Sequence, residues 1–285
     1  MKVHFGPAGK GALFLLNRYK DSLDIPDYVT SLGLNAFEYQ CGHGVNISEE
    51  KAKLLGAKAE EKNIQLSLHS PYYISLSSVT EEKRMNSINY IIASAKAAKD
   101  MGAKRVVVHS GSLSGNTREV ALELAKDTLK KALITMDEMD LGDIHLCPET
   151  MGKINQLGDL YEVMELCKLD DRLIPCIDFG HLNARTLGEI KGKEDYKKIL
   201  DTIENELGSD RLKIFHSHFS RIEYTKGGEK KHLTFEDTQF GPDHEPLLEL
   251  IAEKDLSPTI ICESAGTQDI DSKIMMDFYK SVSEK

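Results

Sequence analysis

Eight short apolar or β-branched runs recur along the chain, each followed by a longer segment of helical periodicity, and this alternation most constrains the fold. The runs are Lys2–Gly6, Leu34–Gln40, Ile64–His69, Lys104–His109, Asp143–Glu149, Leu173–Asp178, Leu212–Phe219 and Ser257–Glu263. Between them, Met85, Ile88, Ile92 and Ala95 keep helical spacing, as do Ile270, Ile274, Phe278 and Val282. Ser48 and Thr80 each precede two glutamates, which puts a hydroxyl cap ahead of first-turn acids. Such alternation predicts an α/β protein with a parallel sheet. Eight repeats in 285 residues predict a single-domain (β/α)8 TIM barrel over residues 1–285, since these barrels take about 250 residues. A doubly wound nucleotide-binding sheet would carry a glycine fingerprint or P-loop in a βα turn, and neither occurs.

Charge and composition narrow the partners. The net charge of −10 works against non-specific attraction to nucleic acid or anionic membrane. Bound metal ions can still supply positive charge locally. No window approaches the roughly 18 consecutive apolar residues of a membrane span. The cysteines are Cys41, Cys147, Cys167, Cys176 and Cys262. Their odd number and the lack of any C-x-x-C argue against disulfide and zinc-finger frameworks. Met1–Phe5 enter a strand-like run with no signal-peptide core, so the expected compartment is the cytoplasm.

The informative feature is what closes the strands. Six of the eight end at or near His69, His109, Glu149, Asp178, His216 and Glu263. In a barrel the C-terminal strand ends share one rim, where active sites sit. Three histidines and three carboxylates there carry too much negative charge for a small pocket unless cations neutralise it. Imidazole with carboxylate suits zinc, with iron, manganese or cobalt as alternatives. Six donors exceed one zinc shell, which implies at least two ions and the spacing used in two-metal phosphoester hydrolysis. His181, three residues after Asp178, turns toward the same pocket and joins the ligands. His218 shares a strand face with His216 and is expected beyond the ligands or against substrate. His43 is within reach of the pocket, while His4, His145 and His244 read as structural.

With these residues identified, the chain resembles the endonuclease IV family of the xylose-isomerase-like barrels. The resemblance runs nearly end to end and rests on Leu68-His69-Ser70-Pro71-Tyr72-Tyr73-Ile74-Ser75-Leu76, Val108-His109-Ser110-Gly111-Ser112 and Pro148-Glu149-Thr150-Met151-Gly152. Cys176-Ile177-Asp178-Phe179-Gly180-His181, Phe215-His216 and Cys262-Glu263-Ser264 complete it. It implies a DNA-repair hydrolase that cuts 5′ to abasic sites with a zinc cluster. It further implies one ion on His69 and His109, a second on Asp178, His216 and Glu263, and Glu149 bridging them. A hydroxide between those ions would attack the phosphate, with Glu149 and Glu263 as the catalytic carboxylates. His181 would serve a third ion, and Tyr72 would probe the DNA.

Two departures stand out. The family's third ion also takes an Asp-x-His pair after strand seven. Here the ungapped register puts Glu229 and Lys231 at those places, while a shift by one recovers His232 but sets Lys230 against the acid. The expectation is two zinc ions, a weak or empty third site, and Lys231 as a substituting positive charge beside substrate. Manganese or Fe2+ would fit the same donors. In the loop after strand two, the family's Arg-bearing segment is replaced by Gln40-Cys41-Gly42-His43-Gly44-Val45-Asn46. The rival activity is a metal-dependent sugar or sugar-phosphate isomerase or epimerase, which would use Glu149, Asp178, His216 and Glu263 around one ion. His69 and His109 favour the two-metal hydrolase. A barrel that has lost activity and acts as a scaffold is the third possibility.

Overall fold

The computed structural model describes residues 3–283. Ten strands occur in it: β1 (His4–Pro7), β2 (Ala36–Gln40), β3 (Gln65–His69), β4 (Arg105–His109), β5 (His145–Glu149), β6 (Cys176–Asp178), β7 (His216–Phe219), β8 (Ile222–Thr225), β9 (Gly228–His232) and β10 (Thr259–Cys262). All but β8 and β9 form one parallel sheet in the order β1-β10-β7-β6-β5-β4-β3-β2. Its edges meet through a bridge between Ala8 and Glu38. Hydrogen bonds from Gly9 N to the Glu38 carbonyl (2.9 Å) and from Asn35 N to the Phe5 carbonyl (3.2 Å) complete the barrel. Gly6 makes the closure possible, because a Cβ there would lie 1.9 Å from the Ala36 carbonyl oxygen. The eight-stranded barrel expected from the alternation is therefore present.

Strand alternation sorts the side chains. Leu66, Leu68, Val106, Val108, Leu146 and Ile177 point outward into the apolar core under the helices. Val107, Cys147 and Cys176 point inward and form, with Ile174, a separate small cluster. Ile261, opposite His218 in register, is also buried, but most of the remaining interior is polar. At the floor Arg105 donates to the carbonyl oxygens of Ile214 (2.7 Å) and Phe215 (3.5 Å) and to Thr259 Oγ1 (3.1 Å). Glu38 and Ser67 occupy the middle, and the histidines and carboxylates line the mouth. This departs from the branched apolar layers usual in such barrels.

Two expectations are corrected here. The seventh strand was expected over Leu212–Phe219, but Ser209–Lys213 is helical and β7 begins only at His216. The helix takes up Leu212 and Lys213, and the shortened strand still ends at Phe219. The β8–β9 hairpin between β7 and β10 was not anticipated. The start of the first run, Lys2, lies outside the described residues. All five cysteines are free and buried. No helix among the described residues is long and apolar enough to cross a membrane.

Candidate metal centre

Among the described residues, four donor groups gather at the C-terminal rim: three clusters, and a fourth group of His69, His218 and Glu263 that spans the first two. The first holds His69, His109 and Glu149 from the ends of β3, β4 and β5. Glu149 Oε2 lies 3.4 Å from His69 Nε2 and 3.4 Å from His109 Nε2, and it has no hydrogen-bond partner. Donors held by one zinc ion at about 2.1 Å sit about 3.4 Å apart at tetrahedral angles. A buried carboxylate oxygen left unpaired between two imidazoles is costly by itself, and an ion removes that cost.

The second cluster holds Glu149, Asp178, His218 and Glu263. Asp178 divides its two oxygens. Oδ1 caps the helix Phe179–Arg185 by accepting from His181 N at 2.7 Å. Oδ2 is buried without a hydrogen-bond partner and faces the cluster. The same cap explains the D-x-x-H spacing, since it sets His181 on the first helical turn beside the pocket. His218 Nδ1 approaches Glu149 Oε1 at 2.9 Å and Glu263 Oε1 at 3.6 Å.

His218 therefore stands where His216 was expected. In register, His218 pairs with Asp178, whereas His216 pairs with Cys176 one layer deeper. His216 Nε2 donates to Glu38 Oε2 at 2.9 Å, and the ring is fully buried below the mouth. Among the described residues its only donor cluster is with Cys176 and His218, without Glu149, Asp178 or Glu263. Both histidines point inward because they are two residues apart on one strand.

The third cluster holds His181, Glu229 and His232. His181 Nε2 lies 3.5 Å from Glu229 Oε2, and His232 Nε2 lies 3.9 Å from Glu229 Oε1. Residues three apart on a regular strand face opposite sides. Here the hairpin register advances from Glu223–Lys231 to Tyr224–Glu229, leaving Lys230 as the extra residue of a bulge. The bulge turns Glu229 and His232 to the same side. At the third site, expected to be weak or empty, an E-x-x-H pair and His181 thus bring three donors together. Lys231 points away, with Nζ 3.3 Å from Glu223 Oε2 and its side chain 62% exposed. Gly152 lets the hairpin approach, since a Cβ there would meet Glu229 Cβ at 2.7 Å.

Protein groups fix the far nitrogens of four of these rings. His69 Nδ1 donates to the Ser70 carbonyl at 2.8 Å and His181 Nδ1 to the Thr150 carbonyl at 2.9 Å. His218 Nε2 donates to Glu38 Oε1 at 2.9 Å, and His232 Nδ1 pairs with Ser220 Oγ at 2.9 Å. Each leaves the other nitrogen to face its cluster, the arrangement that orients metal-bound histidines. The electrostatics agree. Burial pulls His69 down, yet Glu149 and Glu38 outweigh it and raise the ring to about 9. Burial likewise opposes His181, but Asp178, Glu149, Glu229 and Glu263 raise it to about 9. Burial prevails at His109, which falls to about 4 despite Glu149. Burial would raise Glu149, but His218, His69 and His109 hold it well below the ordinary carboxylate range. The donor set, its unpaired oxygens and its negative field all fit bound divalent cations.

The cavity over the clusters measures about 300 Å³ and is lined also by Gln40, Tyr72, Lys153 and Gln156. Tyr72 is 47% exposed at its edge, hydrogen-bonded to His43 Nε2, with the two rings 5.0 Å apart. His145 and His244 lie elsewhere, the first bonded to the Arg172 carbonyl (3.1 Å) and the second stacked on Phe235 at 4.7 Å. Glu38 escaped the sequence reading, because one acid in a strand carries no motif. A wider groove of about 580 Å³ lies at the opposite barrel end, but its Lys53, Lys99 and Lys104 are each paired with acids.

Comparison with known proteins agrees with the barrel fold. An uncharacterized protein of Methanocaldococcus jannaschii is 36% identical over 263 residues, covering 92% of this chain and 93% of that one. A probable endonuclease 4 of Malacoplasma penetrans is 27% identical over 183 residues, 62% of this chain and 61% of its own. Endonuclease IV from Thermus thermophilus superposes with a TM-score of 0.68 at 20% identity, covering 98% of both chains. A D-tagatose 3-epimerase-like protein superposes at 0.69 with 19% identity, covering 90% of this chain and 92% of that one. The family model described as the xylose isomerase-like TIM barrel matches residues 26–280, and the chain belongs to that family.

Proposed function

We propose that the chain is a metal-dependent phosphodiesterase that cuts DNA 5′ to abasic sites, as an endonuclease IV-like repair enzyme of the cytoplasm. One observation carries this: Glu149 belongs to two donor clusters at once, and the first of them exists only because His69 and His109 are present. A single-ion enzyme has no use for that second set of imidazoles. Zinc is the proposed metal, held by His69, His109 and Glu149, by Glu149, Asp178, His218 and Glu263, and by His181, Glu229 and His232. When bound there, the ions supply Lewis-acid charge to a phosphodiester and lower the pKa of water.

The chain's own groups orient the reaction. Glu149 and Glu263 are the catalytic carboxylates, both facing His218 Nδ1. Tyr72, beside His43 at the cavity edge, offers an exposed aromatic face to an unstacked nucleotide. Lys153 offers a positive charge at the same mouth. Zinc-loaded protein is expected to incise a duplex carrying one abasic-site analogue. His109→Ala is expected to lower the rate about a thousandfold, the several kcal/mol one Lewis-acid ion contributes. Equal incision by both proteins, or none by wild type, sinks the proposal.

The third cluster has its own test. Gly152→Ala pushes the hairpin outward and is expected to weaken one zinc equivalent about 10–100-fold, the usual cost of disturbing a ligand's support. Competition with a chromophoric chelator measures it, and three undiminished equivalents would refute the placement.

A sugar epimerase is the second reading, favoured by the E-D-H-E set of Glu149, Asp178, His218 and Glu263. It predicts one tightly held ion and turnover of ketoses. The absence of Lys and Arg between Tyr39 and Lys51 also suits a small substrate better than DNA.

A further inference from the structure

We infer that Glu38 is a positioning residue, whose buried carboxylate fixes the tautomer of His218 and thereby sets the metal affinity of the second cluster. This rests on the metal reading of the site and is independent of the substrate. β2 sends no side chain into any of the three clusters described above, yet its central residue is a fully buried acid. That acid lies beneath the mouth and accepts four hydrogen bonds. Oε1 takes His218 Nε2 at 2.9 Å and Gln40 Nε2 at 3.2 Å. Oε2 takes Ser67 Oγ and His216 Nε2, both at 2.9 Å.

An ionised carboxylate only accepts, so every partner must present a proton. The proton of neutral His218 is thus held on Nε2. Nδ1 shares a 2.9 Å hydrogen bond with Glu149 Oε1, and a cation that displaces the proton of that bond finds the lone pair on Nδ1, facing Glu149 and Glu263. In the other tautomer an N–H would project into the cluster and oppose a cation. The negative charge behind the ring also strengthens it as a donor to metal. His216 has a supporting part. It occupies the second oxygen and steadies the carboxylate, while its Nδ1 is buried without a partner. An unprotonated nitrogen there agrees with the proton lying on Nε2, against Glu38. An amide cannot do the same work. Its single oxygen serves one ring at most, and its NH2 group confronts the N–H of the other.

The test uses histidine labelled with 15N in the full chain, loaded with zinc. In wild type, the His218 resonances are expected to show zinc on Nδ1 and the proton on Nε2. In Glu38→Gln, one zinc equivalent is expected to weaken about 10–100-fold against a chelator, with the other equivalents unchanged. A purely structural role would lower the melting temperature and leave zinc affinity alone. Zinc on Nε2 of His218 in wild type, or undiminished affinity in a folded Glu38→Gln protein, overturns the inference. The wild-type spectrum decides the matter even if the variant does not fold. A wild-type protein that binds no zinc overturns the metal reading itself, which separates the two failures.

Discussion

Glu149→Gln is expected to remove two zinc equivalents and reduce phosphodiester cleavage by at least about a thousandfold, since each lost Lewis-acid ion is worth several kcal/mol of barrier. Glu149 Oε2 stands 3.4 Å from both His69 and His109, while Oε1 stands 2.9 Å from His218 Nδ1. Among the described residues no other side chain belongs to both the His69–His109–Glu149 and the Glu149–Asp178–His218–Glu263 groups. Glutamine keeps the shape but loses the charge, and it turns one arm into a donor that faces imidazole nitrogens. A folded variant with zinc content reduced to the His181–Glu229–His232 equivalent is the expected product. The test measures zinc per chain and incision rate together, with circular dichroism as the check on folding. A variant retaining a tenth of wild-type cleavage with full zinc content would show that Glu149 bridges nothing.

The sequence carried the barrel because eight apolar runs separated by helical segments have few other solutions. It carried His69, His109, Glu149, Asp178 and Glu263 because each ends such a run, and strand ends converge in a barrel. His216 and His218 could not be ranked the same way. Both face inward, and choosing between them needs the level at which β7 meets the rim. That level depends on where the helix Ser209–Lys213 stops, which the apolar run containing Leu212 conceals. Glu229 and His232 were each candidates, in different registers, but their sharing one face was obscured for another reason. Their common face depends on a one-residue bulge at Lys230, and GEKKH has no residue that announces one. Glu38 was invisible because it acts through His218, and a single acid in AFEYQ resembles an exposed strand residue.

Stripping the metal is expected to lower the melting temperature steeply, and by more at high pH than at neutral pH. A site held at 1,000 times its dissociation constant adds about 4 kcal/mol to stability, so the two sites that share Glu149 add about 8 before the third is counted. At about 2–4 °C per kcal/mol for a chain of this size, the loss is about 15–30 °C. The pH dependence follows from the imidazoles. In the metal-free cluster His69 and His181 are raised to about 9, against the pull of burial, by the surrounding carboxylates. Their protonated forms therefore stabilise the stripped protein fully below about 6.5, the ordinary histidine value. That contribution disappears as the pH rises through 9. Metal binding moves the opposite way, because its ligands must be deprotonated. The gap between loaded and stripped protein should accordingly widen between pH 6.5 and 9. Below this window burial governs His109, lowered to about 4, so the stripped protein also loses stability as acid forces that ring to charge. Melting curves with and without chelator at pH 6.5, 7.5 and 9 measure the gap. A gap that narrows as pH rises would mean that the carboxylates are not raising these rings, and that the clusters are not poised to exchange protons for metal.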